Sequence, residues 1–149
     1  MTVDEYWQKY LKESGKKATL KYNGEYQLGE NTETIIQNTA LVLAGRKTLN
    51  CSSVYSFDID MIPLPKPHDY YVVTDVNDNP VCIVQNKNIS VMAFKDVTWD
   101  IAQKEGEYSN IEQWRQAHIE FFEDEAALMG YEFSEDMPLL FEEFEVVYS

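Results

Sequence analysis

Near the start of the chain Tyr6, Trp7, Tyr10 and Leu11 recur at helical spacing, and Ser14-Gly15 closes the run, which predicts a short helix over residues 2–14. Lys16-Lys17-Ala18-Thr19 reads as a polar connector, and the glycine-punctuated stretch Tyr22 to Gly29 as loop or short strand. Asn31 is a good N-cap for a second helix with Glu33 in its first turn, whose core face is Ile35, Thr39, Val42 and Leu43. That helix stops at Gly45, and after several small or polar residues the chain is expected to run extended at Val54 to Phe57. Prolines at every second residue hold 58–67 extended, as a rigid loop over the body of the protein. Tyr70 to Val76 reads as a strand, Asn77 to Pro80 as a turn and Val81 to Gln85 as its hairpin partner, with a further strand over Ile89 to Phe94 after Asn86-Lys87-Asn88.

The second half brings a short helix over Thr98 to Lys104 that closes at Gly106. Ser109-Asn110-Ile111-Glu112 is a capping-box pattern that opens the longest helix, with a face of Ile111, Trp114, His118, Phe121, Glu125 and Leu128, Phe122 beside it and Gly130 at its end. Leu140, Phe144, Val146 and Tyr148 alternate as a final strand. Five or so short strands interleaved with helices predict an α+β domain around a small barrel or curved sheet.

Composition narrows the class. A chain of 149 residues, 44% of them hydrophobic and including ten Tyr and seven Phe, is one globular domain that needs no staples. Two cysteines, Cys51 and Cys82, are too few for a disulfide framework or a zinc site and read as free thiols. The start, Met1 to Glu5, lacks the basic and apolar regions of a leader, and no run reaches membrane-spanning length, so a soluble, cytoplasmic protein without a membrane partner is expected.

Charge is distributed unevenly within a net −14: residues 1–50 carry seven Lys or Arg against six acids, while His118 to the C-terminus has ten acids and no Lys or Arg. Such a chain repels a DNA duplex at long range and leaves only local contacts to nucleic acid, made through its first third.

Candidate chemistry gathers in two places. Gly45-Arg46-Lys47-Thr48 puts two cations directly after a helix end, a suitable floor for a pocket that holds an anion or a polar heterocycle. Lys47 there serves as a base or a fixed charge, or is a surface lysine favoured by the helix C-terminus. Glu105-Gly106-Glu107 sets two carboxylates about a sharp turn, one as proton carrier and one as ordering partner, or both simply exposed. His118 has Phe122, not a ligand, four residues on, so it reads as a core or interface histidine bonded to backbone. No phosphate loop, nucleophile elbow or metal-spaced Cys/His set occurs, and neither a metal nor a cofactor is expected.

The order of these features resembles the ASCH family, in its longer type. The resemblance is carried by Leu28-Gly29, Ala44 to Thr48, Asn79-Pro80, Cys82-Ile83, Phe94 to Trp99, Ala102 to Glu107, Trp114-Arg115 with His118 and Phe121-Phe122, and Phe144 to Tyr148. It covers the chain from about residue 25 to the end, giving one domain over 1–149 with a helical extension at 1–24. It implies a PUA-like small β-barrel with surrounding helices, a cleft floored by the Gly-x-Lys motif, and RNA, nucleotide or modified-nucleoside ligands. Some relatives are hydrolases: a small bacterial one deacetylates acetylcytidine and a longer one degrades RNA.

In the deacetylase-like pattern a lysine works with a threonine and a later glutamate, which falls on Lys47, Asn50 and Glu105 in this sequence, with asparagine where the pattern has threonine. Lys66-Pro67-His68-Asp69 also departs from the glycine usual before that aspartate. Two expectations follow. In one, the chain is a binding module in which Gly45, Arg46, Lys47, Thr48, Asn50, Ser52 and Glu107 contact an RNA end, nucleotide or nucleoside. In the other it is an amidohydrolase or ribonuclease in which Lys47 activates water and Glu105 shuttles the proton.

Overall fold

The computed structural model describes residues 1–149. Its five strands, β1 (Gly24–Gln27), β2 (Leu49–Ser53), β3 (Tyr70–Thr74), β4 (Pro80–Ala93) and β5 (Pro138–Tyr148), form a single sheet in the order β1-β3-β4-β5-β2. Helix α1, Val3–Ser14, opens with a capping box in which the Thr2 hydroxyl and the Glu5 carboxylate each take the other's backbone N–H. Its buried Tyr6, Trp7, Tyr10 and Leu11 pack on Tyr70, Val72 and Ile83 of the sheet, and the Trp7 indole donates to the Leu20 carbonyl at 2.9 Å. Strand β1, Gly24–Gln27, lies parallel to β3, Tyr70–Thr74. Helix α2, Thr32–Leu43, connects β1 to β2, Leu49–Ser53, which pairs antiparallel with β5, Pro138–Tyr148. No helix is long and apolar enough to cross a membrane.

The central strand β4, Pro80–Ala93, differs from the sequence expectation of two strands parted by Asn86-Lys87-Asn88. It is continuous, and its register against β5 shifts between Asn86 and Asn88. The polar residues mark this irregularity because Asn86 is buried there, donating to Glu142 Oε2 at 3.0 Å while its backbone N–H reaches the Asp69 carbonyl. The result is a half-barrel: β1 and β2 are its two free edges, and no backbone ladder joins them. A side-chain bond spans the opening instead, from Asn50 Nδ2 on β2 to the Tyr26 hydroxyl on β1, at 3.2 Å.

Residues 54–57, expected to be extended, begin a helix, α3, over Val54–Asp60. Aromatic and β-branched content suggested strand, but packing decides: the Tyr55 ring meets Tyr131 at 5.2 Å against the main core. The helix ends at Met61 in the left-handed region, so Asp58 to Asp60 are helical rather than part of an extended proline segment, which starts only after Met61. Thr98 precedes a short helix, α4, Trp99–Ala102, that tightens into a 3₁₀ turn over Gln103–Glu105 and stops at Gly106.

Helix α5, Ile111–Met129, is capped one residue later than the Ser109–Glu112 pattern suggested, with the Asn110 side chain accepting from the Gln113 N–H. Its buried stripe is Trp114, His118, Phe122 and Ala126, whereas Leu128 is 88% exposed and Phe121 lies at the surface. Steps of four residues drift by about 40° each on a 3.6-residue helix, so the stripe keeps Trp114 and His118 of the expected face and then diverges from Phe121, Glu125 and Leu128. Helix α2 departs similarly: Ile35, Asn38 and Val42 are buried and Leu43 is exposed. On β5, Leu139 to Glu142 and Phe144 form the buried set, and Val146 is exposed.

Candidate functional site

The site begins at the C-terminus of α2. Gly45, at φ 74°, lets the N–H groups of Gly45 and Arg46 turn back onto Val42 and Leu41, a Schellman arrangement in which Lys47 also bonds the Leu41 carbonyl. The tight turn sends Lys47 inward, where it is only 5% exposed, and leaves Arg46 outside. Lys47 Nζ meets Glu107 Oε2 at 2.9 Å, the Leu49 carbonyl at 3.2 Å and the Glu105 carbonyl at 3.5 Å. Three partners use all three ammonium hydrogens.

The Glu105-Gly106-Glu107 turn is held against this segment by a close backbone approach. Gly106 sits at φ 75°, and a Cβ there would lie 2.6 Å from the Arg46 carbonyl oxygen. The Thr48 N–H donates to the Lys104 carbonyl at 2.8 Å and stitches the two segments together. Glu105 is 2% exposed, and its Oε2 accepts from the Trp114 indole at 2.9 Å and lies 3.2 Å from His118 Nε2. The His118 ring stacks on Trp114 with centroids 4.1 Å apart, and its Nδ1 is 2.9 Å from the Trp114 carbonyl. The expected backbone bond of His118 is therefore present, but the same ring also faces Glu105.

These groups open into a cleft of about 520 Å³ between the free edges of the half-barrel, within the usual 300–1,000 Å³ of small-molecule sites. Of the residues singled out in the sequence, Lys47, Asn50, Ser52, Glu105 and Glu107 line it together. Gly45 and Thr48 face a separate, smaller recess, and Arg46 lines neither. Sequence reasoning missed Tyr26, Asn38, Cys51, Tyr108 and Glu142, which line it too. The one available signal was buried polarity: Asn38 sits on the apolar stripe of α2, where it donates to the Leu28 carbonyl at 2.9 Å, and Glu142 lies within the apolar run of β5.

The lining is acidic, with Lys47 the single Lys or Arg against Glu30, Glu105, Glu107 and Glu142. Burial raises the Glu142 carboxyl above its ordinary value, against the pull of its bond from Asn86. Burial also pushes up the Tyr26 phenol, helped by Glu142, and the Tyr108 phenol, helped by Glu107 and Glu105, so both stay neutral hydrogen-bond donors at physiological pH. The Cys51 thiol is held well above its usual value, first by burial and then by Glu105, with Lys47 opposing. Cys51, Glu105 and His118 each bring a ligating atom within 4.8 Å of the other two. They come from β2, the 3₁₀ turn and α5, which no sequence spacing could unite.

This architecture recurs in solved structures. A protein from Enterococcus faecalis V583, EF3133, superposes with a TM-score of 0.90 at 29% identity over 98% of this chain and 88% of its own. An ASCH domain from Lactobacillus crispatus JV V101 matches equally well, at 29% identity over 98% of this chain and 94% of that one. The hypothetical protein PH0355, 20% identical over 83% of this chain and 98% of its own with a TM-score of 0.53, shares the fold. Among curated proteins none matches this sequence. The ASCH domain family model matches residues 24–148, nearly all of the α+β half-barrel and both segments of the cleft floor, and the chain belongs to that PUA-like family.

Proposed function

We propose that the cleft binds a single uncharged nucleoside or nucleobase, free or exposed at an RNA end, and does not grip a phosphate backbone. The observation that carries this reading is the charge of the lining. Its one Lys, Lys47, already has every N–H engaged, and four carboxyl groups surround the space. A polyanion would meet repulsion there, whereas a heterocycle finds polar edges on Asn50, Tyr26 and Asn38 and a ring face on Tyr108 or Phe121. Arg46, outside the cleft, is free to touch a phosphate only at its rim.

The test is calorimetric titration and thermal shift with modified nucleosides, their 5′-monophosphates and short single-stranded RNA. At a hundredfold excess over Kd a nucleoside should stabilise the fold by about 2.7 kcal/mol, a Tm rise of roughly 5–10 °C. Asn50→Ala should diminish that rise, and added salt should hardly change it. Tighter binding of RNA oligomers with a steep salt dependence would overturn the reading.

A second reading, hydrolysis of an acylated nucleoside, is favoured by one observation: Lys47 and Glu105 line the same cleft from two chain segments. In that reaction water adds to the acyl carbon, the C–N bond breaks, and the nucleoside amine leaves with a proton delivered by Glu105. Incubation with acetylcytidine, followed by mass, should then give acetate and cytidine with the wild type and none with Glu105→Gln. Ribonuclease activity fits the acidic lining less well.

A further inference from the structure

We propose that Cys51, Glu105 and His118 form a three-ligand site for a zinc-type divalent cation, with its remaining coordination position open to the cleft. The inference is independent of the nucleoside reading and rests on how the three side chains are supported. The Trp114 carbonyl can only accept, so the 2.9 Å contact from His118 Nδ1 puts the hydrogen on that nitrogen. In the neutral ring Nε2 then presents a bare lone pair, and it lies 3.2 Å from Glu105 Oε2. Two lone pairs at that distance repel unless a proton or a cation lies with them.

A metal ion resolves the conflict, and the surroundings match what metal ligands require. Ligating histidines donate their other N–H to a backbone carbonyl or carboxylate, as His118 does, and ligating carboxylates are themselves hydrogen-bonded, as Glu105 is by the Trp114 indole at 2.9 Å. Zinc bonds of about 2.0–2.2 Å to nitrogen and oxygen place those two atoms about 3.3 Å apart in a tetrahedron, close to the separation already present. The sulfur has further to come. All three atoms lie within 4.8 Å of one another, and a tetrahedral sulfur–nitrogen edge is about 3.6 Å, so closing the set takes a movement of at most about 1.2 Å.

Thiolate, imidazole and carboxylate together select a borderline-soft ion such as Zn²⁺ over Mg²⁺ or Ca²⁺. All three residues line the cleft, so water or a cleft ligand can take the fourth position. Binding replaces the S–H bond by a metal–sulfur bond and releases that proton to solvent.

The test uses the full chain, stripped with a chelator and titrated with Co²⁺ and then Zn²⁺. The expected result is a thiolate-to-cobalt charge-transfer band in the near ultraviolet with intense visible bands of a tetrahedral ion. These should saturate at one equivalent, be displaced by Zn²⁺ and release a proton. Cys51→Ala should abolish the charge-transfer band, and His118→Gln and Glu105→Gln should each weaken binding by at least tenfold, with circular dichroism confirming that the variants fold. Zinc K-edge absorption on the wild type needs no variant and should count a single sulfur neighbour. A pale octahedral cobalt spectrum, a spectrum unchanged by Cys51→Ala, or an all-oxygen zinc environment would overturn the site. Each would leave His118 and Glu105 sharing a proton and any zinc on the acidic surface. Nucleoside binding measured on the metal-free protein remains a separate result.

Discussion

Gly106 joins the two halves of the cleft floor, and replacing it tests that junction. Its φ of 75° is left-handed, so alanine there incurs about 1–2 kcal/mol of backbone strain wherever it occurs. The added Cβ would also stand 2.6 Å from the Arg46 carbonyl oxygen, 3.0 Å from the Arg46 carbonyl carbon and 3.3 Å from Lys47 Cα. All three are backbone atoms, and no rotamer change relieves them. Overpacking of this kind adds roughly 1–3 kcal/mol, for a total of about 2–5 kcal/mol. Gly15 and Gly130 supply internal controls, since they have φ of 71° and 86° and a Cβ added at either would meet nothing within 4 Å. Gly15→Ala and Gly130→Ala should therefore show the strain alone.

Urea unfolding followed by Trp fluorescence measures all three, provided that m is unchanged between variants. At about 1–3 kcal/mol/M, the extra loss in Gly106→Ala moves its midpoint below those of the controls by roughly 1 M. If Gly106→Ala falls within about 0.5 kcal/mol of the two controls, the Arg46–Gly106 approach does not exist in solution. The placement of Lys47 against Glu105 and Glu107 would then be wrong as well.

Lys47→Met should lower stability by about 1–3 kcal/mol, chiefly because it leaves two carbonyls short of a donor and also because it strips the cation from an ion pair that is buried only at its Lys47 end. Adding Glu107→Gln should restore part of that loss in a double-mutant cycle of urea midpoints; a double variant no more stable than Lys47→Met would show that Glu107 is not paired there. Glu142→Gln tests the buried carboxyl beside Asn86. Burial raises its value in the folded state above the ordinary 4.5, so the native chain binds that proton more tightly than the unfolded chain does, and stability falls as pH rises from 4.5 through the raised value. The variant lacks that fall, so its Tm should exceed that of the wild type at about pH 8 and converge with it at about pH 4, and a pH-independent difference would refute the assignment.

Local signals in the sequence were strong where chemistry is local. Asn31 as a cap, Gly45 as a helix stop and the apolar residues of α1 each act within a turn or two, and the structure uses them as read. The two segments of the cleft floor were also visible as candidates, because each gathers charged residues around a glycine turn, although each could equally have been a solvated surface. What could not be read was their meeting, which depends on β2 pairing with β5 and on the Arg46–Gly106 contact, both long-range. Helix α3 was lost to strand-like composition, and His118 to its apolar neighbours. Tyr26, Asn38, Cys51 and Glu142 each lie on a different element, so only the folded sheet brings them to one wall.

Leaving the half-barrel open creates the cleft and also a hazard, since β1 and β2 are unpaired edges that invite other strands. The chain limits the hazard with short edges, Gly24–Gln27 and Leu49–Ser53, and with the bond from Asn50 to the Tyr26 hydroxyl across the opening. That bond gives Asn50 a structural role of its own. An amide reaches one bond further than a hydroxyl and brings a donor, while its Oδ1 remains available to a ligand. Asn50 thus spans the seam and lines the cleft at once, keeping a polar edge at that position.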